Sequence, residues 1–114
     1  MYVNGVLLGM EFIETKVFTK QITELLGDDD YRALQDALVL RPEAGDVIPG
    51  AGGLRKVRWT AEGRGKRGGI RVIYYFKNDR GQIYFLVAYQ KNQQEDLTSD
   101  QKSKLVQLVK EEWR

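Results

Sequence analysis

Cysteine and histidine are both absent from the 114 residues, and proline occurs only twice. Without cysteine there are no disulfides and no thiol nucleophile. Without histidine the usual general base at neutral pH is missing, and any metal ion would have to be held by oxygen ligands alone. No apolar run approaches the roughly 20 residues that a membrane span requires. The start of the chain lacks the basic-then-apolar pattern of a secretory leader. The expected location is therefore the cytoplasm, with no membrane partner. A hydrophobic content of 42% is enough to build one modest core, so a single folded domain is expected.

Acidic residues are also scarce in one place. From Gly53 to Lys77 the chain reads GLRKVRWTAEGRGKRGGIRVIYYFK, with eight Lys or Arg and a single acid, Glu62. The whole chain carries 18 basic and 16 acidic residues, so this stretch holds +7 and the remainder −5. Segregation of that kind is a statement about partners, and phosphate-rich nucleic acid is the first candidate.

The pattern of apolar residues predicts a strand, two helices, three strands and a final helix. Met10 to Phe18 suits a strand running into a helix. Phe18, Ile22, Leu25 and Leu26 recur at helical spacing, and Gly27 sits where that helix would close. A second helix starts at the acids Asp28 to Asp30, places Tyr31, Leu34 and Leu38 on one face, and stops before Pro42. EAGDVIPGAGG (43–53) reads as loop. Strands are expected at Leu54 to Thr60, Gly69 to Phe76 and Gln82 to Tyr89, the last two joined by the hairpin KNDRG. Thr98 and Gln101 have capping-box spacing ahead of a helix with Leu105, Leu108, Val109 and Trp113 on one face. This order predicts an α+β domain on a small antiparallel β-sheet, with two N-terminal helices and one C-terminal helix. Residues 1–9 add no clear periodic element and read as an N-terminal extension, with Met10 an alternative start. Residues 10–114 form the single domain.

Strand alternation sorts the basic residues by face. Lys56 and Arg58 share one side of their strand, while Arg55, Val57 and Trp59 take the other. Arg71, Ile73 and Tyr75 alternate with Ile70, Val72, Tyr74 and Phe76. The run IYFLVAYQK is apolar nearly throughout, as a central strand covered on both faces should be, and Lys91 stands just past its end. If these strands are neighbours, Lys56, Arg58, Arg71 and Lys91 converge on one concave surface. The competing reading is a solvated, aggregation-resistant strand face. No acid is expected in these strands to pair the cations. GRGKRG (63–68) matches G-x-G-x-x-G formally, but a dinucleotide fingerprint needs a helix after it and a strand follows here. It reads as a basic loop for phosphates or as a solvated hairpin turn. Tyr74, Tyr75, Tyr84 and Tyr89 read as core. Asp28 to Asp30 read as a helix start in preference to a metal site, and no carboxylate pair has the spacing of glycosidase or metal chemistry.

The element order, with GDVIPGAGGLRKVRW, GKRGGIRVIYYF and YQKNQQEDL, resembles the RelE/HigB superfamily of type II toxins from Met10 to Arg114, most closely the HigB-like branch. The resemblance implies the RelE-like microbial RNase fold and a ribosome-dependent endoribonuclease that cuts messenger RNA in the decoding site, needing no metal or other cofactor. It implies a helix-turn-helix, HigA-like antitoxin as partner, with operator DNA reached only through that antitoxin. Matched position by position, the family's catalytic basic pair falls on Lys56 and Arg58, its strand arginine on Arg71, and the basic residue after the last strand on Lys91. RNA contacts are expected from Arg55, Arg64, Lys66, Arg67, Tyr89 and Asn92. Many relatives carry a tyrosine near the position of Leu97, so Tyr89 or Trp59 is left to offer a base an aromatic surface. Crowded cations suit such chemistry. They stabilise the extra charge of a phosphoryl transition state, and like-charge crowding disfavours the protonated form of a lysine, which makes a lysine base conceivable. The alternative from another class is a non-catalytic RNA- or protein-binding module with a basic groove.

Overall fold

The computed structural model describes residues 2–7, 9–60 and 69–112. Its elements are β1 (Tyr2–Leu7), β2 (Met10–Thr15), α1 (Lys16–Leu25), α2 (Asp28–Leu40), β3 (Asp46–Val47), β4 (Arg55–Trp59), β5 (Ile70–Lys77), β6 (Gln82–Gln90) and α3 (Ser99–Glu112). The strands form one sheet in the order β1-β2-β6-β5-β4-β3. The α+β class is as expected. Every neighbouring pair is antiparallel except β2 and β6, which run parallel, so the sheet is mixed where a purely antiparallel one was expected. A parallel pair needs a crossover, and α1, α2 and the β3–β5 strands provide it.

Two strands arise where the sequence carries no periodic signal. Tyr2–Leu7, within the segment read as an extension, pairs antiparallel along the outer edge of β2. Asp46–Val47, within the segment read as loop, pairs with Lys56 and Arg55 of β4.

Local chemistry sets the helix ends. The Thr15 hydroxyl accepts the Phe18 amide and opens α1, and it also donates to the Leu86 carbonyl at 2.7 Å. One side chain thus caps the helix and ties it to β6. Gly27 does not close α1 in a left-handed turn. Its φ is −75° and it is the N-cap of α2, while Leu26 ends α1. Asp28, Asp29 and Asp30 fill the first turn of α2, where they complement the helix dipole. Thr98 and Gln101 form the expected capping box ahead of α3, each side chain serving the other's amide. In the hairpin after β5, Gly81 takes φ +61°, the left-handed conformation that favours glycine.

The sheet is covered on both faces, which is why β6 is apolar nearly throughout. On one face α1 and α2 bury Phe18, Ile22, Leu34 and Leu38 against Phe12, Val72, Tyr74, Ile83 and Phe85. Phe85 stacks between Phe18 at 4.8 Å and Phe12 at 5.5 Å. On the other face α3 and the segment before β4 cover Ile13, Leu54, Ile73, Tyr84, Leu86 and Tyr89, with Val109 fully buried. Trp113, expected on the same helical face, lies outside the described residues. The tyrosines Tyr74, Tyr84 and Tyr89 are core residues, and Tyr75 packs half-buried against the α3-side cluster that holds Tyr84 and Tyr89.

The β5–β6 ladder contains a bulge. Ile73 pairs with Val87 and Tyr74 with Phe85, which leaves Leu86 as an extra residue in β6. Beyond it the alternation is reset, so that Ala88 faces α1 and α2 while Tyr89 faces α3.

Candidate active site

Three antiparallel strands bring the groove together. Arg58 pairs with Arg71 across β4 and β5, and Arg71 pairs with Tyr89 across β5 and β6. Directly opposed residues share a face, so this row lies on the α3 side. Lys56 pairs with Ile73 one step along, on the same side. Lys91 follows β6, its backbone amide donating to the Gly69 carbonyl. Gly69 itself has φ +56°, and a Cβ there would lie 2.5 Å from the Trp59 carbonyl oxygen, so only glycine lets the start of β5 run this close to β4.

Lys56, Arg58, Arg71 and Lys91 line one open groove of about 630 Å³, with Ala44, Asp46, Val57, Glu95 and Asp96. The four expected cations are therefore brought together. They differ in setting. Arg58 is exposed, and neither it nor Lys91 forms an ion pair among the described residues. Arg71 is only 4% exposed and forms part of the buried wall, not an open-groove side chain, with a long contact of 3.4 Å from its guanidinium to the Ile70 carbonyl. Lys56 Nζ meets Asp96 Oδ1 at 3.4 Å.

The groove also holds carboxylates that the sequence reading left out. Asp46 of β3 stands directly across from Lys56, contrary to the expectation of an acid-free sheet face. Glu95 and Asp96 enter from the turn before α3. Their signal in the sequence is the pair of acids in YQKNQQEDL, shortly after Lys91. The Leu97 amide donates to Asp96 at 2.8 Å. That hydrogen bond, followed by the Lys56 ammonium, holds the Asp96 carboxyl below its usual range. A lowered carboxyl contributes stability that is complete above its ordinary range and is lost as pH falls through the lowered value, so the contact with Lys56 stands at neutral pH.

The β3 wall is fixed from the core. Tyr74 Oη donates to the Pro42 carbonyl at 2.8 Å and accepts the Gly45 amide at 2.9 Å. A Cβ at Gly45 would lie 2.8 Å from the Tyr74 ring, so glycine is needed for this approach. Burial is the main cause that raises the Tyr74 hydroxyl above the ordinary tyrosine range, and it stays a neutral donor.

Other expected contacts are placed elsewhere. Arg55 lies on the opposite face, where its guanidinium donates to the Gly45 carbonyl at 2.8 Å and pairs with Glu43. Trp59 packs against the α1–α2 core and offers the groove no aromatic surface. Asn92 is exposed in the turn beyond Lys91 and does not line the groove. Leu97, at the position where many relatives were expected to carry tyrosine, packs into the α3 core. Tyr89 stands opposite Arg71 on the same face of the sheet but does not line the groove and is only 9% exposed, so its ring has no open face for stacking. Arg64, Lys66 and Arg67 lie outside the described residues.

Such a groove suits an anion with several oxygens. Two guanidiniums oppose each other on adjacent strands, two ammonium groups flank them, and fixed acids hold part of the cluster in place. Among the described residues no three His, Cys, Asp or Glu side chains converge as a metal site would require, and no helix is long and apolar enough to cross a membrane.

The chain has relatives of known kind. A family model described as the RelE toxin of the RelE/RelB toxin–antitoxin system matches residues 14–113. Among solved structures, a double mutant of the E. coli toxin RelE in its free state is similar with a TM-score of 0.55 and 16% identity, over 82% of this chain and 93% of that one. A chain of the intact E. coli RelBE toxin–antitoxin complex is similar with a TM-score of 0.50 and 14% identity, over 69% of this chain and 93% of that one. At these identities the likeness is one of fold.

Proposed function

Because the chain belongs to the RelE toxin family, whose model spans residues 14–113, we propose that it is the toxin of a type II pair, of the HigB-like branch, and cleaves messenger RNA in the ribosomal A site. The observation that carries this reading is the convergence of Lys56, Arg58, Arg71 and Lys91, from three strand segments, on one groove. A family of translation-directed toxins accounts for such a groove better than a generic grip does.

The chemistry is transesterification within the RNA. A 2′-hydroxyl oxygen attacks its adjacent phosphorus, the bond from phosphorus to the 5′-oxygen breaks, and a 2′,3′-cyclic phosphate is left. The proton of the 2′-hydroxyl passes to a base, and the departing 5′-oxygen receives one from an acid. Arg58 and Arg71 hold the phosphate and meet the charge that develops on it, the role in which preorganised donors contribute most. Lys56 and Lys91 share base and acid duty. Protein cations supply the charge stabilisation, so the step needs no metal ion. The need for a 2′-hydroxyl gives selectivity against DNA. Entry of a phosphate exchanges Lys56 from Asp96 to the RNA. The ribosome supplies the in-line geometry that this small groove does not impose by itself. The partner is a helix-turn-helix, HigA-like antitoxin that silences the groove and brings the pair to operator DNA.

The test is expression of the chain alone, followed by mapping of message ends, together with cleavage by purified protein on programmed ribosomes and on naked RNA. Arrested growth, cuts confined to ribosome-bound messages and poor cutting of naked RNA are expected. Vigorous cleavage of naked RNA with no gain from ribosomes would remove the ribosome-dependent reading, and binding without products would leave only a gripping module.

A further inference from the structure

One polar atom on the groove side has no use in the fold. The Tyr89 hydroxyl oxygen is buried and finds no hydrogen-bond partner among the described residues. A buried hydroxyl left unmatched forfeits its hydration without replacement, so the fold retains it at a loss. Its surroundings are specific. Tyr89 stands opposite Arg71 in the β5–β6 register, and the groups that act electrostatically on its hydroxyl are Asp96 and Arg71, both of which line the groove. Tyr89 shares the α3-side cluster with the apolar Leu54, Ile73, Leu86 and Val109, and the buried Tyr84 of that cluster directs its own hydroxyl to Gln82.

We infer that the Tyr89 hydroxyl is a hydrogen-bond donor reserved for a phosphate oxygen of RNA seated against Arg71, an assignment that rests on the RNA-cleaving reading above. The donor is uncovered by the same exchange that admits the phosphate. Asp96, 66% exposed at its side chain, leaves Lys56, and the phosphate takes up Lys56, Arg71 and the tyrosine hydroxyl together. The hydroxyl keeps its proton throughout. Burial and the Asp96 carboxylate raise it above the ordinary tyrosine range against the opposing pull of Arg71, so it serves as a donor and not as a base. This gives Tyr89 a contact with RNA that does not require an exposed ring.

The test uses Tyr89→Phe, which removes one oxygen and keeps the ring. The probe is adenosine 3′-monophosphate, whose binding needs neither ribosome nor cleavage. The variant is expected to bind it roughly tenfold more weakly, the scale of one hydrogen bond to a charged group. Its melting temperature is expected to equal or exceed that of the parent, because an unmatched buried oxygen is gone. Cleavage on programmed ribosomes falls in step. Equal affinity for the nucleotide in parent and variant overturns the inference, as does a lowered melting temperature with affinity unchanged, which would mark a hydroxyl satisfied inside the fold. Binding of a poly-glutamate peptide with no response to the nucleotide also overturns it and points to an acidic protein segment as the occupant. If nucleotide binding depends on Tyr89 yet no message is cut, the donor assignment stands and the nuclease reading falls.

Discussion

Arg58 and Arg71 face each other across two strands, yet water reaches one and scarcely the other. Substitution should separate their roles. Arg58→Ala removes an exposed cation and should lower single-turnover cleavage about a hundredfold, the scale of one lost transition-state donor, with the melting temperature unchanged. Arg71→Ala should lower cleavage at least as far and also cost several degrees of melting temperature, because it empties part of a buried wall. Arg71→Lys should recover much of the stability and little of the rate, since an ammonium lacks the planar fork. Parallel rate and unfolding measurements on the three variants decide the matter. Full activity in Arg71→Ala would remove this residue from the phosphate site.

Among the elements, α1 shows how one short side chain can serve two layers. Thr15→Ala deletes the cap on the Phe18 amide and the bond to the Leu86 carbonyl together. A loss of about 1–3 kcal/mol is expected from the cap and the hydrogen bond combined, read by denaturant unfolding. Thr15→Ser should restore most of it, and a null effect in both would mean that α1 is held by its apolar face alone. Elements with strong periods were legible in the sequence. α1, α2 and α3 follow from their apolar stripes, and the two faces of β4 and β5 follow from strict alternation, which is why the convergence of Lys56, Arg58 and Arg71 could be read in advance. β3 could not, because two residues have no period, and with it went Asp46 opposite Lys56. The parallel pairing of β2 with β6 was equally invisible, since pairing direction is a matter of global routing and leaves no mark on a six-residue strand. Arg55 stands apart from the groove for a local reason. Alternation put it on the face away from Lys56, and Glu43 and Gly45 hold it there.

For the whole molecule, the segregated charge predicts how association responds to salt. With +7 between Gly53 and Lys77 and −5 elsewhere, binding to programmed ribosomes should weaken steeply as salt rises, because each neutralised phosphate releases a counterion. Replacing Arg64 and Lys66 together by Ala should flatten the slope of log affinity against log salt by roughly 1.4, at about 0.7 per contact on single-stranded RNA, and leave the rate at saturation unchanged. An unaltered slope would take both residues out of the RNA path. The bulge at Leu86 acts at this same scale. In an unbroken β6, the even spacing from Phe85 to Tyr89 would place both rings under α1 and α2, and the one extra residue sends Tyr89 to the side where Arg71 waits. Loss of a single codon there would work like a frameshift in space: every residue after it would keep its identity and exchange its surface. The groove is thus specified by the number of residues in β6 as much as by their kind, and relatives that keep the basic residues but not that count would present a different site.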